Sequence, residues 1–189
     1  MKKLMTIACV LWGAMAIADF NSALDCTDLT FTTGGDAEWL EQSDEVKSGI
    51  TALRSGDVSD GQSTWLETTV SGSGMISFWW KVSSENSFDI LSVEVDGNQK
   101  DNIGGTGGDW MFKTVPVVDA GEHVVCWTYA KDEIVTTGQD CGWLDSVSWT
   151  PAPESMTITF ETNGGEALDP EVVAPGATYG ELTVPEHDT

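Results

Sequence analysis

Short apolar runs alternate with polar residues along most of the chain, and the 3.6-residue period of an amphipathic helix is almost absent. Glycine, aspartate, asparagine and serine separate the runs at intervals typical of turns. The pattern predicts eight strands: Leu29–Thr33, Ile50–Ser55, Ser63–Val70, Met75–Ser83, Ile90–Val95, Trp110–Val118, Glu122–Lys131 and Trp143–Trp149. With no helix to cover a sheet, we expect two sheets packed face to face.

Alternation within the strands predicts which side chains are buried, because successive residues point to opposite faces. The predicted core faces carry Ile76, Phe78, Trp80 and Val82 in one strand and Val125, Trp127 and Tyr129 in another. Trp79 falls on the opposite face, among polar neighbours. In the last strand, Asp145 shares its parity with Trp143, Val147 and Trp149, so we expect an acid in an inward row.

The N-terminus has the pattern of a secretory signal peptide. Lys2 and Lys3 precede the apolar run Leu4–Ala14, which is too short for a comfortable membrane span, and small residues follow at Ala16–Ala18. We therefore expect residues 1–18 to be removed on export. No later apolar run is long enough to insert into a membrane.

A proline-containing linker, Pro151–Glu154, follows the last predicted strand. We expect the sandwich to occupy residues 19–150 and a second unit to occupy residues 155–189. About 35 residues are too few to bury a core alone, so this unit is expected to be partial and the chain a fragment of a longer protein.

Charge narrows the classes of partner. Without Lys2 and Lys3, six basic side chains face 31 acidic ones, a net charge of −25. Such a surface repels nucleic acid and anionic lipid. The acidity either only keeps an exported protein soluble or supplies carboxylates that bind calcium.

Three cysteines remain after the predicted cleavage: Cys26, Cys126 and Cys141. If residues 122–131 and 143–149 form a hairpin, Cys126 and Cys141 lie roughly 15 Å apart. A disulfide needs Cα atoms within about 7 Å of each other. We therefore expect these two cysteines to be unbridged.

Several segments together resemble a module of large secreted bacterial proteins, similar to concanavalin A-like and MAM-type jelly rolls. The segments that carry the resemblance are Ala52–Gly56, Gln62–Thr68, Ile76–Ser84, Val95–Gly97, Trp127–Asp132 and Gly142–Val147. The resemblance covers roughly residues 24–150. It implies a jelly-roll sandwich outside the cell, with no catalytic chemistry to carry over.

The C-terminal segment resembles the Listeria–Bacteroides repeat, also called the internalin B-type repeat. The matching residues are Thr157–Gly165 and Val173–Gly180. The resemblance implies a small β-grasp-like unit of surface proteins, of which only the first half is present.

Catalytic patterns are weak, and we predict that the chain is not an enzyme. Glu94, Asp96 and Gln99 have a spacing similar to that of jelly-roll glycosidases, but an amide stands at the last position and Gly97 interrupts the strand. A hairpin turn at Asp96-Gly97 is the better interpretation. His123 is expected on a strand surface, which leaves no credible Ser–His–Asp set.

Two tryptophans are candidate sugar-binding residues, because an exposed indole can stack on a pyranose ring. Trp79 is a candidate because alternation places it outside the core. Trp110 is a candidate because it comes soon after the glycine-rich segment 104–108. The alternative is that both side chains are covered and serve packing. Asp145 and Asp28 are candidate Ca²⁺ ligands; alternatively, Asp145 accepts backbone N–H groups that hold the strand.

Two classes of function are consistent with the sequence. The first is a secreted or cell-surface binding and adhesion module for carbohydrate or glycoprotein. The second is an architectural spacer in a large surface protein. An accessory domain of an enzyme whose catalytic part lies outside these 189 residues is a further alternative.

Overall fold

Two antiparallel sheets account for the regular structure of the longer part of the chain. The computed structural model describes residues 16–18, 20–154, 156–161 and 169–173. The chain divides into two compact units, residues 1–151 and 152–189. Eleven strands belong to the described part of the first unit: β1 (Ala16–Ala18), β2 (Phe31–Gly35), β3 (Leu40–Gln42), β4 (Ala52–Arg54), β5 (Ser63–Ser71), β6 (Gly74–Ser83), β7 (Ile90–Val95), β8 (Asn98–Ile103), β9 (Met111–Val117), β10 (Glu122–Ala130) and β11 (Cys141–Pro151).

The strand order defines a six-stranded and a five-stranded sheet. The six-stranded sheet runs β1-β2-β5-β10-β7-β8, and the five-stranded sheet runs β3-β4-β11-β6-β9. The prediction of an all-β, two-sheet sandwich is therefore confirmed. Over the described residues, no helix is long and apolar enough to cross a membrane.

All eight predicted strands are present, and the first unit adds β1, β3 and β8. β1 falls within the predicted signal peptide, whereas β3 and β8 are edge strands with mostly polar sequences, so no apolar alternation marks them. The turn between β7 and β8 is the hairpin predicted at Asp96-Gly97, where both residues have positive φ angles of 53° and 72°. The assumed hairpin of residues 122–131 with 143–149 is wrong, because β10 and β11 belong to different sheets.

The predicted core faces of β6 and β10 are confirmed. Phe78 is fully buried and lies edge-on to Trp80 at 5.4 Å and to Trp127 at 5.3 Å between ring centroids. Trp127 belongs to the opposite sheet, so these rings join the two layers. Each edge-to-face pair adds about 0.5–1.5 kcal/mol beyond the burial of apolar area.

The sequence predicts that Trp143 and Asp145 in the last strand point into the core, and this prediction is wrong. Trp143 and Asp145 pair with Lys81 and Trp79, on the outer side of the five-stranded sheet. A bulge follows at Ser146, whose φ is 51°, and it changes the parity so that Val147 enters the core. A pattern of alternating residues in the sequence does not reveal where a bulge inserts an extra residue.

Trp143 is nevertheless only 1 % exposed, because the outer side of the sheet is covered at this point. Lys81 lies 5.4 Å from the centre of the Trp143 ring and forms an ion pair with Glu45 at 2.8 Å. The segment of residues 43–50 thus closes over this end of the sheet.

No disulfide joins Cys126 to Cys141, as expected. The hairpin on which that expectation rested is wrong, since the two residues lie in opposite sheets. Both side chains are buried.

The second unit contains one described strand pair, β12 (Met156–Ile158) with β13 (Glu171–Val173), which is antiparallel. Residues 162–165 and 174–180, which carry much of the resemblance to the internalin B-type repeat, lie outside the described residues. The internalin B-type repeat therefore stays a prediction.

Candidate ligand-binding face and acidic cluster

Two aromatic side chains lie next to each other on the outer face of the five-stranded sheet. Trp79 on β6 is the cross-strand partner of Phe112 on β9, and their ring centroids are 5.3 Å apart with a 53° tilt. Phe112 is 57 % exposed, whereas Trp79 is half-buried. We call the surface around this pair the aromatic face.

Trp110 directly precedes β9 (Met111–Val117). Met111 pairs with Trp80, which points into the core, so alternation within β9 places Phe112 on the opposite, outer side. Trp110 is half-buried. The structure therefore places Trp79 on the outer face and adds Phe112 through the register of β6 with β9, whereas Trp110 stays a candidate at the start of β9.

Lys47 covers part of this face. Its Nζ atom lies 4.0 Å from the centroid of the Trp79 ring, which is cation–π geometry. Lys47 itself is exposed, and a lysine side chain on a flexible stem can be displaced by a ligand.

Hydroxyl groups follow the aromatic pair along the sheet. The next cross-strand pair is Ser77 with Thr114, and the Ser77 and Ser148 hydroxyl oxygens are 3.0 Å apart. The face therefore presents stacking surface and hydrogen-bonding groups side by side.

Asp145 lies beneath the edge of this face and is fully buried. Its Oδ2 accepts the backbone N–H of Lys47 at 2.8 Å and of Ser48 at 3.0 Å. The Ser146 hydroxyl lies 3.2 Å from Oδ1 and 3.3 Å from Asp25 Oδ2. The structure thus shows the backbone hydrogen bonds of the alternative hypothesis, in which Asp145 accepts N–H groups instead of binding Ca²⁺.

Asp28 lies elsewhere. It lines a recess on the six-stranded sheet together with Thr32 and Glu67, whereas Asp145 belongs to the outer side of the five-stranded sheet. The structure does not bring the two predicted metal ligands together.

A different set of acids meets where β6 leads into β7. One carboxylate oxygen from each of Glu85, Asp89 and Asp132 lies within 4.8 Å of the other two, an arrangement that could hold a metal ion. Asp89 is fully buried; its Oδ1 accepts the Asp132 N–H at 2.9 Å. Sequence reasoning missed this cluster because Asp132 is 43 residues from Asp89 and no local spacing links them.

The cluster is electrostatically strained. Burial is the main cause that raises the pKa of Asp89, and the neighbouring carboxylates of Asp140 and Asp132 add to it. The pKa of Glu85 is also raised, by burial first and then by Asp132 and Asp89. Both pKa shifts thus have burial as their first cause, to which repulsion between neighbouring carboxylates adds.

The candidate catalytic residues do not form a reactive set. Glu94 faces Gln99 across the β7–β8 hairpin, and burial raises its pKa. His123 is only 9 % exposed, so the expected surface position is wrong: it follows the inward parity of β10. Its Nδ1 lies 2.8 Å from Asp96 Oδ2.

No protein-family model matches the sequence, and no curated protein is significantly similar to it. Among solved structures, the secreted serine protease VesC from Vibrio cholerae superposes with a TM-score of 0.53 and 18 % identity, over 72 % of this chain and 28 % of that one. At this identity the likeness shows a shared fold, and the matched region spans little more than a quarter of the protease.

Carbohydrate-binding modules superpose more loosely. TmCBM61 in complex with β-1,4-galactotriose gives a TM-score of 0.45 and 14 % identity, over 70 % of this chain and 93 % of that one. The CBM22-1 xylan-binding domain from Paenibacillus barcinonensis Xyn10C gives 0.44 and 13 %, over 65 % and 87 %.

Proposed function

We propose that the sandwich is a non-catalytic module of an exported protein and binds carbohydrate, free or on a glycoprotein, through its aromatic face. The observation that carries this proposal is the pair of Trp79 and the exposed Phe112, 5.3 Å apart on an open sheet surface. Aromatic rings in such positions cover the apolar CH face of a pyranose while its hydroxyls stay in contact with water.

The surroundings of the pair support the same ligand class. Ser77, Thr114 and the Lys47 amine offer hydrogen bonds to sugar hydroxyls. With 31 acidic against eight basic residues, the chain repels anionic polymers at long range. A neutral glycan is therefore the favoured ligand.

A glycan array probed with residues 19–189 tests the proposal, followed by affinity measurements on the strongest neutral glycan. Phe112→Ala is expected to weaken binding by about tenfold or more. Phe88→Ala is the matched control, because Phe88 is 58 % exposed but lies in the β6–β7 loop, and it is expected to bind like the wild type.

Unchanged binding by Phe112→Ala would remove the aromatic face as the site. If the wild type binds no glycan on the array, the carbohydrate function is wrong and the architectural spacer role is supported.

Export is part of the same proposal. Cleavage after Ala18 would remove β1, leaving β2 as the edge of the larger sheet. N-terminal sequencing of the exported protein is expected to begin at Asp19. We also propose three further properties together with export: a relationship to MAM-type jelly rolls, an internalin B-type repeat in the second unit, and an adhesive role at the cell surface.

Calcium at Asp145 and Asp28 also remains a prediction. The three hydrogen-bond donors around Asp145 favour the alternative role, in which its carboxylate holds the backbone of the covering segment.

A further inference from the structure

Two carboxylate oxygens in the acidic cluster are shielded from water and lack a hydrogen-bond partner. They are Oδ2 of Asp89, whose side chain is fully buried, and Oε2 of Glu85. A buried carboxylate oxygen without a donor or cation is strongly unfavourable, so each such atom calls for a ligand.

The nearest lysine does not fill this need. Lys131 Nζ lies 2.6 Å from Asp140 and 3.0 Å from Asp60, and it also donates to the Thr136 hydroxyl at 3.3 Å. Its three N–H groups are thereby directed to partners outside the cluster.

We propose that Glu85, Asp89 and Asp132 form a binding site for a divalent cation, with calcium preferred. Calcium binds carboxylate oxygens at 2.3–2.6 Å, so two ligands on opposite sides of it are about 5 Å apart, close to the 4.8 Å limit of the cluster. Magnesium requires shorter distances and near-octahedral geometry, which carboxylates from a loop and a strand end supply less readily.

The ion would fasten the β6–β7 loop to the segment that follows β10. The same loop supplies Asn86 and Ser87 to the lining of a cavity of about 400 Å³, which also includes Asn102 and Asp109. Ser84 N–H also donates to the Gly105 carbonyl at 3.0 Å, which ties this loop to the glycine-rich segment. Cation binding therefore fixes one part of the lining of a cavity that presents amide and hydroxyl groups beside apolar side chains such as Ile90 and Ile103.

Isothermal titration with CaCl₂ and with MgCl₂, without any glycan, tests the site independently of the proposed function. The wild type is expected to bind calcium more tightly than magnesium, and EGTA is expected to lower its thermal midpoint. Glu85→Gln is expected to weaken calcium binding by about tenfold or more, since one charged ligand is lost. Glu133→Gln removes the same charge from an exposed neighbour of Asp132 and is expected to bind like the wild type.

Absence of calcium binding and of any midpoint shift in the wild type would overturn the proposal. Equal weakening in Glu85→Gln and Glu133→Gln would also overturn it, because it would indicate diffuse screening. If Glu85→Gln does not fold, hydrogen exchange of the wild type decides: calcium should slow exchange at residues 84–89. An effect confined to residues 43–50 would place the ion at Asp145 instead.

Discussion

The carboxylate of Asp145 accepts the backbone N–H of Lys47 at 2.8 Å, although the two residues are 98 positions apart in the chain. This bond anchors the segment of residues 43–50 to β11. The same segment places the Lys47 ammonium over Trp79. The anchoring of the last long strand and the form of the aromatic face therefore depend on one buried carboxylate.

Replacing Asp145 with Asn should destabilise the fold. The amide removes the charge from two backbone hydrogen bonds and can direct its NH₂ group against their donors, so we expect a loss of about 1–3 kcal/mol in the free energy of unfolding. Urea denaturation measures it. Asp44→Asn, at an exposed site in the same segment, is the control and should change stability by less than about 0.5 kcal/mol. Equal losses in both variants would contradict the anchoring role.

Trp79 and Trp80 are neighbours on opposite faces of β6, and their replacement should have different consequences. Trp80 is 2 % exposed and packs on Phe78, so Trp80→Ala should cost about 3–5 kcal/mol. Trp79→Ala should cost distinctly less and should weaken glycan binding, because its side chain is half-buried on the outer face. Chemical denaturation of both variants compares them. A larger stability loss for Trp79→Ala would assign that residue to packing.

The pair of His123 and Asp96 should make stability depend on pH. The hydrogen bond to Asp96 is the largest cause that raises the pKa of His123. The stabilisation is therefore present below the unfolded value of about 6.5 and is lost as pH rises through the folded pKa. The bond to His123 is also the largest cause that lowers the pKa of Asp96, whose contribution is lost as pH falls through its folded pKa.

The pH dependence of the difference in unfolding free energy between the wild type and Asp96→Asn reports on this pair, because the altered bond from the Val124 N–H to Asp96 Oδ1 is common to both pH values compared. Asparagine tolerates the positive φ at position 96, so the turn is kept. We expect the difference to be larger at pH 5.5 than at pH 8.5. A difference independent of pH would show that the pair does not titrate as described.

Cys141 should be unreactive in the folded protein. Its side chain is fully buried, and burial is the main cause that raises the pKa of its thiol, so little thiolate is present at pH 8. Alkylation by iodoacetamide followed by peptide mass mapping should leave Cys141 unmodified until urea is added. Rapid modification under native conditions would place this end of β11 in exchange with solvent.

The sequence by itself determined the all-β class, the core faces of β6 and β10, and the turn at Asp96-Gly97. These features depend on the two-residue period of a strand and on the backbone preference of short turns, both of which are local. Alternation was also enough to place Trp79 outside the core. It did not identify β8, because an edge strand with the sequence NQKDNI buries too little apolar surface to show a pattern.

Only the tertiary structure decided which distant residues meet. The bulge at Ser146 turns Trp143 and Asp145 to the outer side, and Asp145 acquires partners from a segment almost a hundred residues earlier. Cross-strand register sets Phe112 beside Trp79. The cluster of Glu85, Asp89 and Asp132 arises because a loop after β6 and the end of β10 converge at one edge of the sandwich. Such contacts depend on the order and register of the strands. Strand order and register are fixed when the apolar faces of all strands pack into one core, which no local stretch of sequence specifies.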